Sequence, residues 1–160
     1  MRSISPASSI ASNMCSMVLR VYDKCMSQPL PEGLLELLRK PSPCFIATLM
    51  PDGSPQLTET WVTTDGENIV INIVDGMQKA RNIARDPRVA VNVVNPENVY
   101  GYYAVRGRVV KTTTEGGRES IEELSQKYLG IPYPNFSGNP NETRVVITIE
   151  ADSVNSPQRG

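Results

Sequence analysis

Short apolar runs separated by turn residues set the rhythm of this chain. Cys44–Met50 (CFIATLM), Asn68–Val74 (NIVINIV), Arg88–Val94 (RVAVNVV), Tyr100–Lys111 (YGYYAVRGRVVK) and Arg144–Ile149 (RVVITI) are rich in β-branched or aromatic residues and predict strands. Gln56–Thr63 (QLTETWVT) alternates only in part, which predicts a sixth strand with both faces in contact with something. Pro51-Asp52-Gly53 and Thr64-Asp65-Gly66 read as turns, the second closing a hairpin. Gly107 inside a long strand predicts a bulge or bend.

Helical spacing replaces this alternation in three places. Pro31–Lys40 opens on proline, carries Glu32 in its first turn, ends on Arg39-Lys40 and supplies an apolar face of Leu34, Leu35, Leu37 and Leu38. Gly117–Leu129 places Ile121, Leu124 and Tyr128 on one side. A short helix is expected between the breakers Asp75-Gly76 and Asp86-Pro87. Gly130–Asn141, rich in Pro, Gly and Asn, reads as a surface loop. Six antiparallel strands and three helices predict a mainly β fold, a small barrel decorated with helices, in which closure removes exposed strand edges.

Composition narrows the function. The 160 residues carry a net charge of −1, so no basic field favours nucleic acid. No apolar run approaches the roughly 18 residues of a membrane span. The chain has no histidine, which excludes His-based triads, histidine general bases and zinc sites built on histidine. Three widely spaced cysteines (Cys15, Cys25, Cys44) suit a reducing cytoplasm, and Cys44 is expected in the core. Residues 1–27 are expected to be a disordered extension, with a natural start near Met26, residues 28–154 the folded domain, and residues 155–160 a frayed tail.

The segment DGMQKARNIARDPRVAV (Asp75–Val91) is the candidate for chemistry. A strand feeds a helix whose start carries Gln78, Lys79 and Arg81. Unpaired N–H groups and the helix dipole favour an anion there, and a lysine beside them makes a phosphate seat. On these residues alone, the reading of Lys79 and Arg81 as solvated charges on a connector helix stands ahead.

CFIATLMPDGSPQLTETWV, GMQKARNIARDPRVAV, YYAVRGRVV, and IEELSQKYLG with the closing RVVITI together resemble the FMN-binding split-barrel superfamily of pyridoxamine 5′-phosphate oxidase-like proteins. Within it, the chain is similar to the small flavin/deazaflavin oxidoreductases described as coenzyme F420-dependent. The resemblance spans about Leu34 to Val154 and implies a six-stranded antiparallel split β-barrel, dimeric, with two cofactor sites at the interface of a homodimer. It implies that Lys79 holds the cofactor phosphate, flanked by Met77 and by Gln78, which stands where the oxidase subgroup has arginine. Thr58, Glu59, Thr60 and Trp61 match residues lying along the ring system and ribityl chain. Asn72 and Ile73 match the next strand's contact, and Tyr102 falls near a polar residue contributed across the interface.

Each residue also has an ordinary structural role open to it: threonines as strand formers, Trp61 as a core aromatic, Glu59 as a surface carboxylate. Tyr100 and Tyr103 are expected to pack a dimer interface. Arg81, Arg85 and Arg88 are expected to serve the short helix, while Arg106 and Arg108 face an anionic tail or only solvent. The implied activity is hydride transfer between coenzyme F420 and a small-molecule substrate, with FMN the alternative cofactor. No catalytic side chain is nominated, because the cofactor carries the chemistry. Two other functions share the barrel: a flavin- or heme-binding protein without turnover, and a structural dimer with a vestigial pocket. The absence of histidine disfavours heme.

Overall fold

The computed structural model describes residues 27–157. The expectations for an N-terminal extension and a start near Met26 lie outside the described residues. In chain order the elements are α1 (Glu32–Arg39), β1 (Cys44–Leu49), β2 (Pro55–Glu59), β3 (Val62–Thr64), β4 (Ile69–Val74), α2 (Gln78–Arg85), β5 (Arg88–Asn95), β6 (Asn98–Thr113), α3 (Gly117–Leu129) and β7 (Arg144–Asn155). All strand pairs are antiparallel, in the order β2-β1-β5-β6-β7-β4-β3.

That order makes the sheet a split barrel. β2 and β3 occupy opposite edges, yet only Thr60 and Trp61 separate them. Two residues span at most ~11 Å, whereas the edges of a flat seven-stranded sheet would stand roughly 29 Å apart. The sheet must curl until its edges nearly meet, with the chain crossing the gap at Thr60-Trp61.

Seven strands stand where six were expected. Thr58, Thr60 and Val62 all keep to the inner side, so facing is continuous through Gln56–Thr63. What changes is the partner: the Thr60 amide still donates to the Cys44 carbonyl (2.9 Å) beside β1, and Val62 pairs with Ile71 of β4. Alternation records facing and not partnership, so the break is silent in the pattern.

The interior is filled from both ends of the sheet by Ile46, Val62, Ile69, Ile71, Val93, Val105, Ile147 and Ile149. The leucines of α1 join this core, at about 1.5–3 kcal/mol for each fully buried side chain. Cys44 belongs to it as expected, and burial pushes its thiol up to about 12. Tyr103, half-buried, packs against this core beside Gly33 of α1.

The bend expected at Gly107 is present. The β6–β7 register shifts between Arg106 and Gly107, and a Cβ on Gly107 would lie 2.1 Å from the Glu150 carbonyl oxygen. Only glycine admits so close an approach. β7 runs on to Asn155, past the expected end at Ile149, because β6 continues to pair with it. Among the described residues, no helix is long and apolar enough to cross a membrane.

Candidate functional site

A cleft of about 720 Å³ opens where the chain crosses between the two edges. Glu59, Thr60 and Trp61 come from the crossing, Asn72, Ile73 and Val74 from β4, and Met77 and Lys79 from the start of α2. Ile121 and Leu129 of α3 face them, with Tyr133, Phe136 and Ser137 of the following loop and Arg144 of β7. Seven of the ten residues singled out from the sequence therefore meet in one place.

The α2 end of the cleft suits an anion. Met77 occupies the N-cap with no side-chain cap, and the first amide of the helix with an internal acceptor is that of Arg81. Burial lowers the Lys79 ammonium below its ordinary value. Among the described residues Lys79 has no hydrogen bond and no carboxylate partner. A half-buried, unpaired cation is costly unless something negative meets it.

The remaining members of the run are occupied. Gln78 donates to Asn82 Oδ1 (2.9 Å) and accepts from Arg81 (2.7 Å), so its side chain serves the helix and does not line the cleft. Arg81 also donates to the Gly76 carbonyl, Arg85 to the Leu49 carbonyl, and Arg88 pairs with Asp86 at 2.6 Å. Arg106 donates to Ser153, and Arg108 is paired with Asp152 and Glu150.

Asn82 holds this end in place, and its role was not read from the sequence. It is fully buried; its Nδ2 donates to Thr48 Oγ1 (3.0 Å), Gln56 Oε1 (3.1 Å) and Met50 Sδ (3.4 Å). The amide thus pins α2 beneath β1 and β2. A polar residue on the inward side of a helix whose other buried position is Ile83 was the available signal.

The opposite wall is aromatic. Trp61 stacks on Tyr128 (centroids 5.3 Å, planes 11° apart) and meets Tyr133 and Phe136 edge-on. The backbone just after Trp61 is clamped at Val62. Tyr128 accepts from the Val62 amide (3.2 Å) and donates to the Ser42 carbonyl (2.8 Å), while Lys127 donates to the Val62 carbonyl and to the Leu38 carbonyl (2.8 Å). Trp61 is thus both part of a cluster and a flat wall of the cleft, the two roles its residue type left open.

Lys127 yields a pH prediction. Burial pushes its ammonium down to about 8 from 10.5. The unfolded chain then binds more protons between pH 8 and 10.5, so this group's contribution to stability improves as pH rises through that window. Burial raises Cys44 and Tyr128 instead, and these oppose the trend above about pH 9 and 10. Urea unfolding at pH 7, 8 and 9 is expected to show the wild type gaining on Lys127→Met as pH rises. A constant difference would mean that the ammonium is not desolvated.

Asn72 is committed on both sides: its Nδ2 donates to the Gly117 carbonyl (2.7 Å), and its Oδ1 accepts from Arg144 (3.5 Å). Arg144 is not a free cation either. It pairs with Glu142 at 2.6 Å, both side chains nearly buried, and lies 4.6 Å over the Tyr133 ring. Burial opposes ionisation of Glu142, but hydrogen bonds from Ser137 and Arg144 hold its carboxyl below the usual range. This network fastens the α3–β7 loop across the cleft, a placement that the reading of 130–141 as mere surface loop did not contain.

Thr58 and Tyr102 do not line this cleft. Thr58 shares the inner face with Ile46, and its hydroxyl is buried without a partner. Tyr102 stands with Val94 on the sheet's outer face. Among the described residues, no cluster of Cys, Asp and Glu could hold a metal ion.

Fold and cleft together define a split-barrel protein in which an uncapped helix start and a half-buried lysine face an aromatic wall. The family model for pyridoxamine 5′-phosphate oxidase matches residues 30–156. Among solved structures, an F420 reductase is 32% identical, with 79% of this chain and 98% of that one covered and a TM-score of 0.66. A conserved hypothetical protein from Mycobacterium tuberculosis is 23% identical, covering 81% of this chain and 84% of that one, at a TM-score of 0.61. A NimC/NimA family protein from Clostridium acetobutylicum is 16% identical, covering 81% and 87%, at a TM-score of 0.57. These last two show the fold alone. No curated protein sequence matches the chain. The chain belongs to the pyridoxamine 5′-phosphate oxidase-like split-barrel family of oxidoreductases, whose fold serves flavin or deazaflavin cofactors.

Proposed function

We propose that this protein is a reductase dependent on the deazaflavin coenzyme F420, acting on a small organic acceptor. One observation carries the reading: the cleft sets an unpaired, half-buried Lys79 and the uncapped start of α2 opposite the flat Trp61 ring. Similarity to an F420 reductase over most of both chains supports it. Lys79 and the α2 amides hold the phosphate, and Trp61 walls the ring. Thr60 and Ile73 line its bed, with Glu59 and Met77 at the mouth. Asn72 fixes the bed through Gly117 and Arg144 rather than offering free polar atoms. The bound coenzyme would supply two-electron hydride chemistry.

FMN is the second reading, and a specific observation favours it. Arg144 being neutralised by Glu142, Lys79 is the free cation of the cleft among the described residues, which matches the single phosphate of FMN more closely than a longer anionic tail.

A homodimer completes this proposal. The outer face of β2, β1, β5 and β6 presents Leu57 (67% exposed), Phe45, Ala47, Ala90 and Ala104 beside Tyr102, an apolar surface suited to a second copy. Tyr102 would reach a cofactor only from that copy. Cys44, buried and protonated, is compatible with a cytoplasmic setting.

Titration of the purified protein with each cofactor, followed by fluorescence of the single tryptophan, tests the reading. F420 is expected to bind at least about ten-fold more tightly than FMN, a gap of about 1.4 kcal/mol. The reverse order selects the second reading, and binding of neither removes both. Sedimentation is expected to give roughly twice the 17.6 kDa chain mass.

A further inference from the structure

The loop between α3 and β7 is built to hold one ring in the open. Phe136 is 69% exposed, yet the chain around it is tied down. Asn135, immediately before it, sits at φ 51°, the one non-glycine residue at positive φ among the described residues. Asn135 Nδ2 donates to the Asn139 carbonyl (3.0 Å), the Ser137 hydroxyl to Glu142, and the Asn139 amide to Ser137 Oγ (3.1 Å). At the loop's base, Ser125 donates to the Ile131 carbonyl (2.9 Å) and the Tyr133 amide to Glu122 (2.8 Å). None of these bonds uses the Phe136 side chain, so a polar residue there would keep them all. A large apolar ring left in water on a pinned loop at the rim of a cleft points to a ligand.

Its neighbours agree. Leu129 (45% exposed) and Met77 (50% exposed) line the same cleft from α3 and from the start of α2. Phe136 meets Trp61 edge-on at 5.9 Å and Tyr133 at 5.7 Å. The carboxylate at this mouth, Glu59, repels anions.

We infer that Phe136 and Glu59 together set the specificity of the cleft, the ring taking up flat, conjugated acceptors and the carboxylate disfavouring anionic ones. The inference rests on the cofactor reading above, since the acceptor lies beside the ring that Trp61 walls. Such an acceptor gains a hydride from the reduced deazaflavin and a proton from water; the donor is oxidised by the same two electrons.

The test uses two flat probes of equal size that cannot react, 2-naphthamide (uncharged) and 2-naphthoate (anionic), titrated by calorimetry into F420-loaded protein. The wild type is expected to bind the amide about ten-fold more tightly. Phe136→Ala should lose about ten-fold in affinity for both probes, which share one ring system, and coenzyme affinity should stay within about two-fold. Phe136→Tyr should restore the affinity for both, and Glu59→Gln should narrow the gap between them. Equal binding of the two probes by the wild type, or undiminished affinity for both in Phe136→Ala, overturns the inference. Failure of the wild type to take up coenzyme at all would sink the cofactor reading instead, and the inference with it. Phe136 is exposed, so both variants are expected to fold, and circular dichroism checks this.

Discussion

Replacing Lys79 by alanine is expected to weaken cofactor binding by roughly 10–150-fold, the cost of about 1.5–3 kcal/mol for losing a hydrogen bond to a charged group. The folded chain should not suffer. Burial already disfavours the Lys79 ammonium, and no carboxylate or hydrogen bond among the described residues compensates it. Removing it takes away a desolvation cost, so the thermal midpoint of the cofactor-free protein should hold or rise, a common trade between stability and function. Lys79→Met, which keeps the stem and drops the charge, should behave like alanine in affinity. Because its affinity effect is electrostatic, wild-type binding should also weaken as pH rises through the lowered value of Lys79. Full affinity in Lys79→Ala would remove the anion seat, and the proposed function with it.

Asn82→Ala is expected to be the most destabilising single change near the cleft, at about 2–4 kcal/mol. One buried amide donates to Thr48, Gln56 and Met50 and accepts from Gln78 and Arg85 (3.3 Å). Truncation takes a partner from Thr48 and Gln56 and leaves them only their own long contact (3.4 Å). A melting temperature lower by about 5–15 °C should follow, and cofactor affinity should fall as well, since the start of α2 is no longer pinned under the barrel. Thermal unfolding followed by titration at low temperature separates the two effects. A variant with unchanged melting temperature would show that Ile83 and the leucine core alone seat this helix.

Much of the architecture was legible because its signals are local. The alternation of Cys44–Leu49 and Arg144–Ile149, the leucine face of α1 and the Asp86-Pro87 stop after α2 each depend on a few neighbouring residues. The position of Lys79 in the first turn of α2 was legible for the same reason. What long-range contacts decide was not. Arg144 reads from the sequence as a strand residue, and only Glu142 and Tyr133 folding back on it turn it from a free cation into a strut. Gln78 looks like a neighbour of the phosphate, yet Asn82 and Arg81 take up its side chain.

By itself, the amino-acid sequence determined which segments are strands or helices, which side of each faces inward, and where a helix start carrying Lys79 falls. Tertiary structure alone decided that residues 56–63 divide between opposite edges at Thr60-Trp61, and that the loop after α3 supplies the second wall of the cleft. The physical reason is that periodicity encodes which way a side chain faces, whereas the curl of a seven-stranded sheet chooses its neighbours. Those neighbours lie tens of residues away, at distances no local pattern records.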